Sequence, residues 1–172
     1  MDIVISDERF RKAAAEGMDA FLALITDAYL DALGGELTAG NMSRLNGWQH
    51  VLMSYRYFQQ EVMEGGFCQL IQNGLGPYIF DNPFAKVMRE VGLHDFSKML
   101  YKAKRVYDEN KQELTRERTD DEFMAMYEQF PQFDDLEDWF IENEEDITAH
   151  IAHYVDEHLD DFLHDGPRKK GE

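Results

Sequence analysis

The chain has 172 residues, 44% of them hydrophobic, and carries a formal net charge of −18. This length and apolar content suffice for a buried core, which argues against a disordered chain. The charge argues against direct nucleic-acid binding, because such a surface repels phosphate backbones. A single cysteine, Cys68, excludes an intramolecular disulfide. With no signal-peptide pattern and no apolar run near the roughly 20 residues of a membrane span, we expect a soluble cytoplasmic protein.

The negative charge is concentrated in the last third of the chain. Residues 1–118 hold 17 acids and 14 bases, whereas residues 119–167 hold 17 acids and no Lys or Arg. The last five residues, 168–172, add three bases and one acid. This distribution predicts one strongly acidic surface that attracts basic partners.

Helical periodicity runs through almost the whole chain. Gly65-Gly66 ends the second predicted helix, Thr119 with Glu122 forms a capping box, and Pro131 separates the last two helices. No strand alternation is visible. The predicted helices cover residues 7–33, 42–64, 67–73, 83–91, 95–118, 120–129 and 134–163.

The sequence therefore predicts an all-α fold. We expect a single compact multi-helix domain over residues 1–165, with a long acidic C-terminal helix. A short basic tail is expected over residues 166–172.

Projection of the last helix at about 100° per residue places an apolar arc opposite an acidic side. An unbroken helix from Asp135 to Asp160 would span about 37 Å, close to the roughly 34 Å of one B-DNA turn. Like-charged neighbours destabilise a helix slightly, so the absence of lysine from the acidic side requires an explanation. The acids could serve solubility, or they could form a surface that binds a partner. The acids expected to bind a partner are Asp121, Asp134, Asp135, Asp138, Glu142, Glu145, Asp146, Asp156, Glu157 and Asp160.

Two polar residues of the last helix project onto the apolar arc. Glu144 and His158 lie where an unpaired charge would be costly. The sequence leaves three interpretations open: the edge of the core, pairing with a neighbouring helix, or a subunit interface.

One group of residues has the spacing of a metal site. Asp146, His150, His153 and Glu157 follow one flank of the last helix, and such a set can bind Zn²⁺ or a di-iron pair. No HExxH or paired ExxH motif is present, and no second helix offers matching ligands, so we expect no metal. Phosphate-binding loops, a GxSxG elbow and a CxxC pair are also missing from the sequence, so we expect no enzyme and no cofactor.

The least generic segment is EGGFCQLIQNGLGPYIF, with DAYLDALGGELT upstream. It resembles the DMP family of bacterial DNA-mimic proteins and the domain-of-unknown-function family that contains it. The resemblance implies an all-α, dimeric protein whose acidic surface imitates the charge of duplex DNA. It also implies a partner, a basic transcription factor of helix-turn-helix type that is kept off its operator. The residues that carry the resemblance are Gly65, Gly66, Phe67, Gln69 and Asn73.

The leading hypothesis is thus a DNA mimic that regulates transcription through a basic DNA-binding protein. The alternative is an immunity-type inhibitor of a basic nuclease or toxin, which requires the same electrostatics. In either case we expect apolar residues bordering the acids, such as Trp139 or Phe133, to contribute specificity.

Overall fold

The computed structural model describes residues 1–166, and all regular structure within that range is helical. The predicted all-α class is confirmed. The predicted basic tail lies outside the described residues except for Gly166. The α-helices are α1 Asp7–Glu16, α2 Met18–Ala32, α3 Gly47–Gln72, α4 Gly76–Phe80, α5 Phe84–Glu90, α6 His94–Glu109, α7 Lys111–Thr115, α8 Asp120–Gln129, α9 Asp134–Glu157 and α10 Leu159–Leu163.

Two of the predicted helices are each interrupted at an internal residue. The single helix predicted over residues 7–33 is wrong, because Gly17 has a φ of 132° and separates α1 from α2. The single helix predicted over residues 95–118 is wrong as well, since the backbone leaves helical geometry at Asn110.

The last helix is shorter than predicted. It ends at Glu157, and His158 separates it from the short α10. The unbroken helix expected from Asp135 to Asp160 is therefore wrong, although α9 is still 24 residues long and acidic. Its start is as predicted, because a 3₁₀ turn at Pro131–Phe133 separates it from α8.

Packing divides the described chain into two units, and α3 and α9 contribute residues to both. One unit contains Met1–Arg56 and the residues from Thr148 onward, and the other contains Tyr57–Ile147. The single domain expected over residues 1–165 stays a prediction. Within residues 1–166, no helix combines the length and the apolar character that a membrane span requires.

The unit formed by the two ends of the chain has an apolar core with one buried amide. The Trp48 ring lies 5.5 Å from Tyr154 and 5.6 Å from Phe162 between ring centroids. Gln49 is fully buried, and its Nε2 donates to the Phe162 carbonyl at 3.1 Å. Its Oε1 accepts from the Asn46 amide at 2.9 Å. Every polar atom of the Gln49 side chain is therefore satisfied, as burial requires.

The central unit, Tyr57–Ile147, is built around aromatic rings. Phe58 on α3 is fully buried, and its centroid lies 4.8 Å from Phe140 on α9 in an edge-to-face arrangement. Phe96 on α6 lies 5.4 Å from Phe58, and Phe84 on α5 lies 6.2 Å from it. These contacts hold the first half of α9 with its opposite, acidic side toward solvent.

Candidate protein-binding surface

The ten acids expected to bind a partner are all exposed. Six of them lie on α9 within the central unit and are called here the acidic face: Asp134, Asp135, Asp138, Glu142, Glu145 and Asp146. Asp121 lies on α8 of the same unit. The other three, Asp156, Glu157 and Asp160, belong to the unit formed by the chain ends.

The acidic face has the spacing of a helical row. Its members recur at three- and four-residue intervals, which places successive Cβ atoms about 5–6 Å apart. From Asp134 to Asp146 the row covers about 18 Å at ~1.5 Å per residue. The arrangement offers a line of full negative charges rather than a convergent ligand set.

The carboxylates of the acidic face make no ion pair with the described part of the chain. Within residues 1–166, none of the six makes a side-chain hydrogen bond or an ion pair. In the charge-balanced part of the chain the pattern differs, since Lys104 pairs with Asp81 and Asp108, and Arg105 pairs with Glu109. The unpaired acids therefore present their charge to solvent or to a partner.

Glu137 is an acid of α9 that does not belong to this row. Its side chain is half-buried, and its Oε1 accepts a hydrogen bond from the Phe67 amide at 2.8 Å. Burial raises the pKa of the Glu137 carboxyl, the Phe67 amide opposes this, and the charges of Asp134 and Asp138 raise it further. Glu137 was not among the residues expected to have a special position, although its projection on α9 lies on the apolar side, near Phe140.

The partner of Glu137 lies at the bend of α3. Gly66 has a φ of 72° and a ψ of −170°, so the helix is interrupted there as Gly65-Gly66 predicted. A Cβ on Gly66 would lie 2.3 Å from Glu137 Oε1, so a residue with a side chain at this position would displace the carboxylate. The Tyr127 hydroxyl of α8 donates to the Gly65 carbonyl at 2.8 Å. Tyr127 of α8 and Glu137 of α9 are thus each bonded to the backbone of this bend, at Gly65 and at Phe67.

The remaining residues of the EGGFCQLIQN segment stabilise the bend. Gln69 and Asn73 donate to the same carboxylate oxygen of Glu61, at 3.0 and 2.8 Å. Burial raises the pKa of the Cys68 thiol to about 12, so its thiolate is scarce near neutral pH. This segment is architectural in the described chain.

The start of α8 is capped as the sequence predicted. The Thr119 hydroxyl accepts from the Glu122 amide at 3.3 Å. The Glu122 carboxylate pairs with Arg116 at 2.9 Å, so this acid serves the local structure.

The two polar residues on the apolar arc each have a local contact. Glu144 accepts a hydrogen bond from Gln59 of α3, which corresponds to pairing with a neighbouring helix. His158 stacks on Tyr154 with 4.0 Å between ring centroids, and its Nδ1 lies 2.7 Å from the Tyr154 carbonyl oxygen. Neither position requires a subunit interface, and the homodimer implied by the resemblance stays a prediction.

The spacing that suggested a metal site on α9 does not correspond to a cluster. Across residues 1–166, no group of three or more His, Cys, Asp or Glu side chains is arranged to hold a metal ion. The four residues Asp146, His150, His153 and Glu157 follow a helix flank without a second ligand-bearing element.

The apolar border of the acidic face differs from the expectation in one residue. Phe133 is 1% exposed and stacks on Phe67 at 5.0 Å, so the expectation that it borders the acids is wrong. Trp139 is half-buried and lines a cleft of about 260 Å³ together with Asp135. Ile141, which sequence analysis did not name, is 51% exposed beside Glu142.

These observations define a class: all-helical acidic proteins that present an unneutralised row of carboxylates. The model of the DMP19-like protein family matches residues 43–158, so the chain belongs to that family. The chain is also similar to the DNA mimic protein DMP19 of Neisseria meningitidis serogroup B (strain ATCC BAA-335 / MC58). The two are 30% identical over 148 residues, which cover 86% of this chain and 89% of the relative. The resemblance described from the sequence is thereby confirmed.

Proposed function

We propose that this protein is a DNA mimic whose acidic face binds a basic DNA-binding protein and prevents that protein from binding DNA. The observation that carries the proposal is the row of six exposed carboxylates, none of which makes an ion pair or a side-chain hydrogen bond within residues 1–166. The similarity to a relative named as a DNA mimic supports the same conclusion.

The physical basis of the proposal is electrostatic competition. Unpaired carboxylates along α9 give a field of one sign, which steers a basic protein into contact and accelerates association. The same basic side chains normally neutralise DNA phosphates, so occupation by carboxylates and occupation by DNA exclude each other. Binding should weaken steeply with salt, since exposed charges are screened within about 10 Å at 0.1 M ionic strength.

The partner we propose is a transcription factor of helix-turn-helix type in the cytoplasm. Such proteins bind DNA through an exposed helix and flanking basic residues that contact the phosphates. A straight helical row of acids is a suitable counterpart for that surface. Occupation of the factor would change transcription of the genes it controls.

The test compares two variants with the same net charge. In the surface variant, Asp135, Asp138, Glu142 and Asp146 become Asn or Gln. In the control, four exposed acids from the charge-balanced part are neutralised in the same way: Glu8, Glu16, Asp31 and Glu36. Each protein is titrated into a helix-turn-helix repressor from the same genome, bound to a labelled operator duplex, and the released duplex is measured.

We expect the control to release DNA as the wild type does. The surface variant should need a roughly fivefold to several-hundredfold higher concentration, because four exposed ion pairs contribute about 1–4 kcal/mol in total. Equal losses in both variants would show that net charge alone matters and would contradict the proposal. Inhibition of a captured nuclease, with no effect on any repressor, would favour the immunity-type alternative.

A further inference from the structure

Glu137 stands apart from the acids around it because it bonds to the protein rather than to solvent. Its neighbours Asp134 and Asp138 are exposed members of the acidic face, whereas Glu137 accepts a hydrogen bond from the Phe67 amide at 2.8 Å. Phe67 follows the bend at Gly66, where the helix restarts and its first amides lack helical partners. Glu137 therefore caps the second segment of α3 from another helix.

The bend is shaped to receive this carboxylate. At φ 72° and ψ −170°, Gly66 occupies a region of backbone space that essentially only glycine adopts. The missing side chain leaves the space in which Glu137 Oε1 lies, 2.3 Å from where a Cβ would be. This contact therefore depends on glycine in two ways: on its backbone conformation and on its lack of a side chain.

A second bond fastens α8 to the same bend. Tyr127 donates to the Gly65 carbonyl at 2.8 Å, and Phe123 packs edge-to-face against Tyr127 at 5.6 Å. Both helices that carry the acids of the central unit are thus bonded to the backbone of the bend, α8 at Gly65 and α9 at Phe67. A hydrogen bond is directional, so the bond from Phe67 to Glu137 adds to the packing of Phe140 in setting the rotation of α9.

We propose that Glu137 is a positioning residue, which holds the acidic face in the geometry that a folded DNA-binding protein recognises. This inference rests on the function proposed above. Asp134 precedes Glu137 by three residues and Asp138 follows it directly, so a rotation of α9 at Glu137 would displace both carboxylates together. Glu137 would act through them and not by touching the partner.

The charged and titratable groups near Glu137 come from three helices. Burial is the largest cause of the raised pKa of Glu137, and the charges of Asp134 and Asp138 on its own helix raise it further. Cys68 of α3 and Tyr127 of α8 face it, and its charge helps to raise the pKa of both. Arg118 acts in the opposite direction on Cys68. The carboxyl is therefore expected to titrate above the ordinary range of a glutamic acid.

Three variants separate positioning from charge. Glu137→Gln keeps an oxygen that accepts from the Phe67 amide but removes the charge. Glu137→Ala removes both, and Asp138→Asn removes one charge from the acidic face itself. Each is assayed for release of the operator duplex from the helix-turn-helix repressor, and for binding to a nona-arginine peptide, which is flexible and responds to charge without requiring a fixed geometry.

Glu137→Ala should bind the repressor about tenfold more weakly, and Glu137→Gln should restore affinity to within about twofold, in line with the loss and the retention of the hydrogen bond from the Phe67 amide. Both should bind nona-arginine as Asp138→Asn does. The inference is overturned if folded Glu137→Ala releases DNA as the wild type does, or if Glu137→Gln is as weak as Glu137→Ala.

A direct measurement on the bond is independent of any partner. The amide proton shift of Phe67, followed by NMR against pH, should titrate with Glu137 in the wild type and in Asp138→Asn. It should not titrate in Glu137→Gln or Glu137→Ala, and an unchanged titration there would overturn the inference. If the surface variant releases DNA as well as the wild type does, the proposed function is contradicted instead. The two failures are therefore distinguishable.

Discussion

Replacement of Gly66 by alanine tests the bend at its most constrained position. The new Cβ would lie 2.3 Å from Glu137 Oε1 and 2.7 Å from its Cδ, so the carboxylate has to leave the Phe67 amide. Loss of that charge-assisted hydrogen bond costs about 1.5–3 kcal/mol. The backbone at φ 72° and ψ −170° adds about 1–3 kcal/mol for a residue with a side chain. We expect the free energy of unfolding to fall by about 3–6 kcal/mol, a large part of the 5–15 kcal/mol of a typical domain.

Gly74→Ala is the matched control for this change. Gly74 also has a positive φ, 80°, but a Cβ there would meet nothing within 4 Å. It should show the backbone cost alone, about 1–2 kcal/mol. Both variants are unfolded with urea and followed by circular dichroism, and the midpoints are compared at an unchanged denaturant dependence. If Gly66→Ala is no less stable than Gly74→Ala, the reasoning about the Glu137 contact is refuted.

Three further predictions concern stability. Because the pKa of Glu137 is raised in the folded protein, this residue contributes to the free energy of unfolding. The contribution is full below the ordinary glutamate pKa of about 4.3 and is lost as the pH rises through the raised folded value. In urea unfolding, the stability of Glu137→Gln relative to the wild type should therefore increase between about pH 4 and pH 7. A stability difference that stays constant with pH would contradict the burial argument. Gln49→Leu should cost about 2–4 kcal/mol, because it leaves the Asn46 amide and the buried Met1 carbonyl without their partner; thermal unfolding measures this, and a neutral result would contradict it. Phe58→Ala should cost about 3–5 kcal/mol, since it opens a cavity between aromatic rings; a loss below about 1 kcal/mol in urea unfolding would mean that the core collapses around it.

Local signals in the sequence were sufficient for the features that depend on neighbouring residues. Thr119 has the residue type and spacing of a cap, and its hydroxyl accepts from the Glu122 amide as expected. The exposure of the acidic face follows from helical periodicity, because Phe140 and Ile147 fix which side of α9 is buried. Such features require no knowledge of which helices meet.

Other features depend on energies or partners that the sequence pattern does not contain. A glycine within a helical pattern costs only about 1 kcal/mol, so periodicity alone did not reveal the break at Gly17. Glu137 was missed for a different reason: its partner, Phe67, is 70 positions away in the sequence. Phe133 directly precedes α9, but ring stacking on Phe67 buries it. For Glu137 and Phe133, tertiary packing decides the outcome.

The central claim is that the acidic face and DNA compete for the same surface of a basic protein. The most direct measurement is the fluorescence anisotropy of a labelled operator duplex bound to its helix-turn-helix repressor, during titration with this protein at salt concentrations from about 50 to 200 mM. The predicted result is complete release of free duplex at low salt, with a competing affinity that falls steeply as salt rises. Anisotropy that stays constant, or that increases because a complex with both the protein and the duplex forms, would contradict the claim.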